Sequence, residues 1–231
     1  MKRLLGILIL ALGLAACAVP LPPIREPARE ESAMDRFDLW TQVAAPTVQV
    51  LRIAGGGSGT GVVVYQDAER ALIVTALHVV GAESSLVMLT QHPDLMTPGT
   101  MVRSDGPHDL ALIQTPPVWR AVARVARAGQ IGAIAWGCRV VAYGHPMGTE
   151  QGVLTDGRIT ALDDDGYLRY SASTFFGNSG GGVFMKLNDR WTLISISQRV
   201  MGYADQLYSP CGLGALPATL LAFLEGGSDV R

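Results

Sequence analysis

FFGNSGGGVF, residues 175–184, sets one hydroxyl, that of Ser179, among four glycines and closes on a short apolar run. A backbone that needs Gly177, Gly180, Gly181 and Gly182 is one that visits positive φ or approaches other chain segments very closely. Such a turn lifts the serine side chain clear of the flanking strands. It also leaves nearby N–H groups unpaired, and these can collect negative charge on an acyl oxygen. The alternative is a glycine-rich connection with no chemistry, and the partners available to Ser179 decide between the two.

A serine becomes a nucleophile beside a base that a carboxylate orients. The chain has four histidines, His78, His92, His108 and His145, and all precede Ser179. Gly177-Asn178-Ser179-Gly180-Gly181 also fits the G-x-S-x-G turn of α/β-hydrolases, but that fold runs Ser, acid, His along the chain. No histidine follows Ser179, so that fold is excluded. The order His, Asp, Ser remains. His78 follows a β-branched strand in LIVTALHVV (72–80), and Asp109 stands at the mouth of another strand in HDLALI (108–113), with Asp105 as its nearby rival. His92 and His108 read as solvated loop residues, and His145 as a loop residue near the site.

Composition sets the architecture around these residues. The 231 residues are 48% hydrophobic and only 16% charged, against roughly 25% charged in average soluble domains. Twenty-seven glycines and 13 prolines point to many turns and short strands. Strands are expected at 48–53, 61–65, 71–75, 86–89, 110–114, 139–143, 152–161, 167–171, 182–186 and 192–197, separated by turn sequences such as QDAER, DDDG and LNDR. Residues 34–45 carry Phe37, Trp40 and Val43 at helical spacing before Pro46, and 217–226 read as a short closing helix with Pro217 in its first turn. Residues 121–128 alternate small and basic side chains and read as a connector between two halves. There is no internal repeat. Strands with no helices between them imply an all-β fold of antiparallel barrels or sandwiches. The net charge of -2, with no Lys/Arg cluster, argues against nucleic acid as a partner. No HExxH or paired CxxC occurs, so neither a metal nor another cofactor is expected.

The first 16 residues read as a signal peptide: Lys2 and Arg3, then an apolar run from Leu4 to Ala16. The run is shorter than the roughly 20 residues of a spanning helix. Leu14-Ala15-Ala16-Cys17 resembles the lipobox of bacterial lipoproteins, which implies cleavage before Cys17 and lipidation there. Ala16-Cys17-Ala18 also fits an ordinary A-x-A cleavage site. Residues 17–33 are rich in proline and charge, a tether that spans roughly 45–50 Å if extended. Residues 34–231 then form the folded domain.

Thr75-Ala76-Leu77-His78, Asp109-Leu110-Ala111-Leu112, Ser58-Gly59-Thr60-Gly61 and Gly177-Asn178-Ser179-Gly180-Gly181 together resemble the trypsin/chymotrypsin-like serine proteases. The HtrA (Deg) branch is similar also in GHPMG (144–148), GRIT (157–160) and GLGALP (212–217), so the likeness runs over nearly the whole domain. The resemblance implies a double antiparallel β-barrel with short terminal helices. It implies a serine endopeptidase with His78, Asp109 and Ser179 as its triad, and Gly177 and Ser179 supplying oxyanion N–H groups. It further implies a substrate pocket at Ser173, Ser195, Ile196 and Ser197, with no carboxylate to hold a basic side chain, hence a preference for small or medium apolar residues. Protein or peptide substrates and an envelope location, at the outer membrane facing the periplasm, follow from the same likeness and from Ala18 after the cysteine. An inactive lipoprotein of this fold, acting as an envelope binding module, is the alternative.

Two departures matter. The sequence stops at Arg231 without the PDZ domain usual in the HtrA branch, so peptide-gated activation is not expected. Asn178 stands before the nucleophile where zymogen-activated relatives carry Asp, so activation through a freed N-terminus is not expected either. Cys138 and Cys211 could pair after export or remain as two buried thiols.

The lipobox is tested directly. Cys17→Ser is expected to abolish incorporation of labelled fatty acid, because only the thiol accepts the diacylglyceryl group; equal labelling of mutant and wild type would contradict it.

Overall fold

The computed structural model describes residues 33–53, 56–81, 86–91, 95–162, 166–201, 208–209 and 211–226. Helix α1 (Ala33–Leu39) runs on as a wider turn over Trp40–Ala44 and stops at Pro46. Six strands follow: β1 (Thr47–Arg52), β2 (Ser58–Gln66), β3 (Ala71–Ala76), β4 (Leu86–Thr90), β5 (Met96–Asp105) and β6 (Leu110–Thr115), with the single helical turn α2 (Leu77–Val80) after β3. They close into an antiparallel barrel in the order β1-β2-β3-β6-β5-β4.

After a connector come β7 (Arg139–Gly144), β8 (Val153–Leu162), β9 (Tyr167–Tyr170), the short β10 (Thr174–Phe175), β11 (Gly182–Leu187), β12 (Arg190–Met201), β13 (Tyr208–Ser209), β14 (Cys211–Ala215) and helix α3 (Pro217–Glu225). The second barrel closes as β7-β8-β9-β14-β12-β11, while β10 and β13 pair separately. Counted within each barrel, the strand order is the same, although the sequence shows no repeat. Packing needs only matching patterns of apolar alternation, and different residues satisfy it in each half.

The alternation partitions two cores. In β2, β3 and β6, Val63, Ile73, Ala111 and Ile113 fill the first barrel, whereas Val62, Val64, Leu72, Val74, Leu110 and Leu112 face outward. In β11 and β12, Val183, Met185 and Ile194 fill the second barrel and Phe184, Leu193 and Ile196 face outward. The outward sets join into one inter-barrel core with Leu39, Val43, Leu220, Phe223 and Leu224. Both faces of these strands are therefore buried, which is why they read as continuous apolar runs. The helices at the two ends of the domain cover this seam, and α1 does so through Leu39 and Val43, not through Phe37 and Trp40, which stay exposed.

Turn chemistry follows the residues. Asn188 and Asp189, at φ 50° and 59°, make the two-residue hairpin between β11 and β12, a conformation these side chains tolerate. In the β2–β3 turn the Asp67 carboxylate accepts the N–H groups of Glu69 and Arg70, both at 2.8 Å. The two-residue β10 and β13 and the strand β14, which only the likeness in GLGALP (212–217) touched, are absent from the expected strands, and the longest strand missed is β5. Its Pro98 and Gly99 look like breakers, but 96–99 pair only with β4 while 100–105 pair with β6. Pro98 therefore sits where one side of the strand needs no donor. Cys138 and Cys211 are half-buried and are not bridged to each other, so the disulfide alternative is not realised.

Phe184 is fully buried in the seam, and Phe184→Ala is expected to cost about 3–5 kcal/mol. Trp136→Ala, at a side chain 77% exposed, should stay within about 0.5 kcal/mol. Urea unfolding compares the two; equal losses would mean the seam does not carry the stability.

Candidate active site

β3 and β6 pair in register with Ala76 opposite Leu110, so the residues just beyond these ends, His78 and Asp109, emerge side by side. The two oxygens of Asp109 clamp His78: the ring Nδ1 lies 2.7 Å from Oδ2, and the His78 backbone N–H donates to Oδ1 at 2.9 Å. The Leu77 N–H donates to the Asp109 carbonyl at 3.1 Å. A carboxylate accepts only, so this network puts the imidazole proton on Nδ1 and leaves Nε2 with a free lone pair. Asp109 holds φ 50°, an uncommon conformation for a residue with a side chain, which the clamp around it maintains. Asp105 bonds His108 instead, through Nδ1 at 2.7 Å and the backbone N–H at 3.2 Å, so of the two carboxylates it is Asp109 that bonds His78. His108 is exposed, as a solvated loop residue should be, and His92 lies outside the described residues.

Ser179 sits in the turn between β10 and β11, pressed against the first barrel. Its carbonyl accepts the Thr60 N–H at 2.8 Å. A β-carbon on Gly59 would come 3.0 Å from that carbonyl and 2.5 Å from Cγ1 of Val79, the neighbour of His78. The Ser179 turn and the His78 turn thus flank one glycine. No hydrogen bond joins the Ser179 hydroxyl to His78 among the described residues, a gap common in unliganded sites. The N–H groups of Gly177 and Ser179 likewise donate to no described group, whereas those of Asn178, Gly180 and Gly181 bond Phe175 O, Ser197 O and Asn178 O. Gly177 holds φ 97° and Gly180 φ 84°.

Around these groups stand Thr60 and His145, from SGTG (58–61) and GHPMG (144–148), and Gln198, which lies in no motif. The Thr60 hydroxyl donates to the Gly177 carbonyl at 2.8 Å and accepts the His145 N–H at 2.9 Å. Gln198, buried on β12, donates to the carbonyls of His108 and of Asp109, the latter at 3.1 Å. His145 is buried, not a free loop side chain, and burial pushes its imidazole below the usual range. The residues expected to line a pocket are more enclosed than a pocket wall requires. Ser195 is fully buried and donates to Ala215 O at 2.6 Å, Ile196 belongs to the inter-barrel core, and Ser197 accepts from Tyr170 OH at 2.7 Å. Only Ser173 is half-buried, with its carbonyl 3.0 Å from Thr155 Oγ1.

Residues 59–196, more than half of the chain, match the trypsin-like peptidase domain. The chain belongs to that family. At the family level it is a serine peptidase, a hydrolase. Over 170 residues it is 28% identical to the serine protease Do-like HtrB of Bacillus subtilis, covering 68% of this chain and 34% of that protein. The peptidase thus spans about a third of that relative's length. Its fold is similar to the serine endoprotease from Yersinia pestis (TM-score 0.64, 23% identity, 80% of this chain and 63% of that one). It is also similar to the HtrA-type protease AlgW solved with a tripeptide (TM-score 0.68, 20% identity, 84% and 63%).

Thr60 is a positioning residue in this peptidase, since it ties the carbonyl of Gly177 to the backbone of His145. Thr60→Val is expected to lower kcat/KM roughly ten- to a hundredfold, mainly through kcat, because small misplacements at a reacting centre are costly. Thr60→Ser should restore most of it, and turnover of a chromogenic peptide measures both. A purely structural role would lower stability without the rescue in kcat.

Proposed function

We propose that the chain is a serine endopeptidase in which Ser179 attacks the peptide carbonyl. His78 takes the hydroxyl proton through Nε2 and returns it to the leaving amine. Asp109 holds the imidazole in the tautomer that allows this and stabilises the imidazolium. The N–H groups of Gly177 and Ser179 receive the oxyanion. The observation that carries this reading is the two-oxygen clamp of Asp109 on His78, with both the ring and the backbone of the base bonded. Asp105 makes the same two bonds to His108, three residues along the chain. The His78 clamp differs in joining residues 31 apart in sequence and in standing beside the Ser179 turn, with Gly59 between Val79 and the Ser179 carbonyl.

Proteins and peptides are the substrates in this reading. Ser173, the one residue of the expected pocket that is not buried, is no carboxylate, and on that position this reading assigns small or medium apolar side chains to the residue before the cleaved bond. In this reading the enzyme works in the cell envelope, held by lipid at Cys17 and facing the periplasm, which the apolar run 4–16 ending at Leu14-Ala15-Ala16-Cys17 supports. The pairing between His78 and Asp109 and the two free N–H groups favour an active enzyme over an inactive binding module.

A fluorophosphonate probe decides that point, since it labels only an activated serine and leaves an inactive module dark. Ser179→Ala, His78→Ala and the double mutant are expected to share one residual activity on unfolded casein. Losses in such units reach about 10⁶ for one member and little more for two. Asp109→Ala should keep somewhat more, because it orients the base and moves no proton. Multiplying losses for Ser179 and His78 would show that they are not partners.

A further inference from the structure

The connector between the barrels turns an alternating row outward that catalysis does not use. Trp119 and Ala123 are buried while Val118, Arg120, Val122 and Arg124 are exposed. Beside this row α1 and the turn after it expose Met34, Phe37 and Trp40 at 67%, 62% and 64%, three large apolar side chains spaced by three residues. The row and the helix frame a pocket of about 400 Å³ lined by Phe37, Asp38, Gln42, Val122, Arg124, Arg190 and Trp191. Gln42 and Thr41, which also lines the pocket, donate to Asp38 and to the Phe37 carbonyl, but three of its donors lack acceptors. Arg124 and Arg190 pair with no described group, and the indole N–H of Trp191, a side chain only 4% exposed, is buried without a partner. Its acid, Asp38, already accepts from Gln42 Nε2 at 2.8 Å. The other charges nearby are Arg36, the Lys186–Asp35 pair at 3.4 Å, Arg139, which lies 5.8 Å from the centre of the Trp191 ring and pairs with Asp156, and Arg120 and Glu150, which share a second cavity with Trp40.

Unpaired donors call for an anion, and the exposed apolar stripe next to them calls for hydrocarbon. One surface offers both, an anionic bilayer. α1 also follows directly on residues 17–33, the segment read as a tether, and before it lies the apolar run 4–16. We propose that this face docks the domain on an anionic membrane, with Met34, Phe37 and Trp40 entering the interface and a lipid phosphate in the Arg124–Arg190–Trp191 pocket. Interfacial tryptophan and basic side chains flanking an apolar stripe suit such a surface. The inference leans on the envelope reading of the N-terminus, but docking is a property of the folded domain and is measured separately.

The test adds vesicles of brominated phosphatidylcholine with phosphatidylglycerol to the full chain and follows tryptophan fluorescence. Quenching is expected that disappears in Trp40→Phe and in vesicles of brominated phosphatidylcholine alone. The ratio of docked to free domain should fall about fivefold for Arg124→Gln and again for Arg190→Gln, as for one basic group at an anionic surface. Urea midpoints of these variants should match wild type. Quenching that persists in Trp40→Phe, or that ignores both arginines, overturns the proposal. So does a Trp40 shielded from aqueous iodide yet untouched by brominated lipid, which would mean that a second copy of the chain covers the face. Loss of fatty-acid labelling with docking intact would sink the tether alone, and loss of peptidase activity would leave docking unchanged.

Discussion

Gly180 is the point at which the second barrel is pressed into the first. At φ 84° its backbone lies so near the carbonyl of Thr60 and the hydroxyl of Thr75 that a β-carbon would overlap both. Its N–H donates to Ser197 O, while the carbonyl of the residue before it, Ser179, accepts from Thr60. A single turn thus bonds β2 of one barrel and β12 of the other. The seam beneath is apolar and non-directional, so it fixes that the barrels pack but not their register to fractions of an ångström. The backbone bonds at Gly180 and Ser179 supply the register, and the site depends on it.

From that junction the remaining contacts form a closed circuit. Thr75 donates to Thr60 O at 2.6 Å, and Thr60 holds Gly177 and His145. Thr75 is also one residue from Ala76, whose pairing with Leu110 sets His78 beside Asp109. Gln198 returns from the second barrel to the Asp109 carbonyl. A displacement of either barrel would therefore move the base and the glycine turn together. Distributed anchoring of this kind is how short loops hold reactive groups to the tolerance chemistry needs.

Much of this was legible in the sequence because the signals were local. The apolar runs before His78 and after Asp109 are strands buried on both faces, and the glycines around Ser179 are forced by close backbone approach at Gly177, Gly180 and Gly181. What stayed hidden depends on partners distant in sequence. Gln198 is an ordinary polar residue until folding brings it against a carbonyl 89 positions away, and nothing in Ser58-Gly59-Thr60-Gly61 shows that the Thr60 hydroxyl will hold a carbonyl 117 positions away. β5 hid because Pro98 is harmless only where the barrel's stagger leaves one side unpaired. The exposed face of α1 was equally unreadable, since Phe37 and Trp40 share helical spacing with Val43 and only the fold shows that Leu39 and Val43 take the seam.

Asn178 shows how the circuit is kept without a buried charge. Its side chain is enclosed against Gly144, where a β-carbon would lie 2.9 Å from Oδ1, and no described group donates to that oxygen. A carboxylate in this place would be an unpaired buried charge, which costs far more than an unpaired amide. The amide keeps the position neutral. The turn is then held by its backbone, through Asn178 N–H to Phe175 O at 3.1 Å and Gly181 N–H to Asn178 O at 2.8 Å, together with the grip of Thr60 on Gly177. None of these bonds needs an ion to arrive. The geometry around Ser179 is therefore a consequence of barrel packing itself, and what perturbs the seam will reach the N–H groups of Gly177 and Ser179 before it unfolds either barrel.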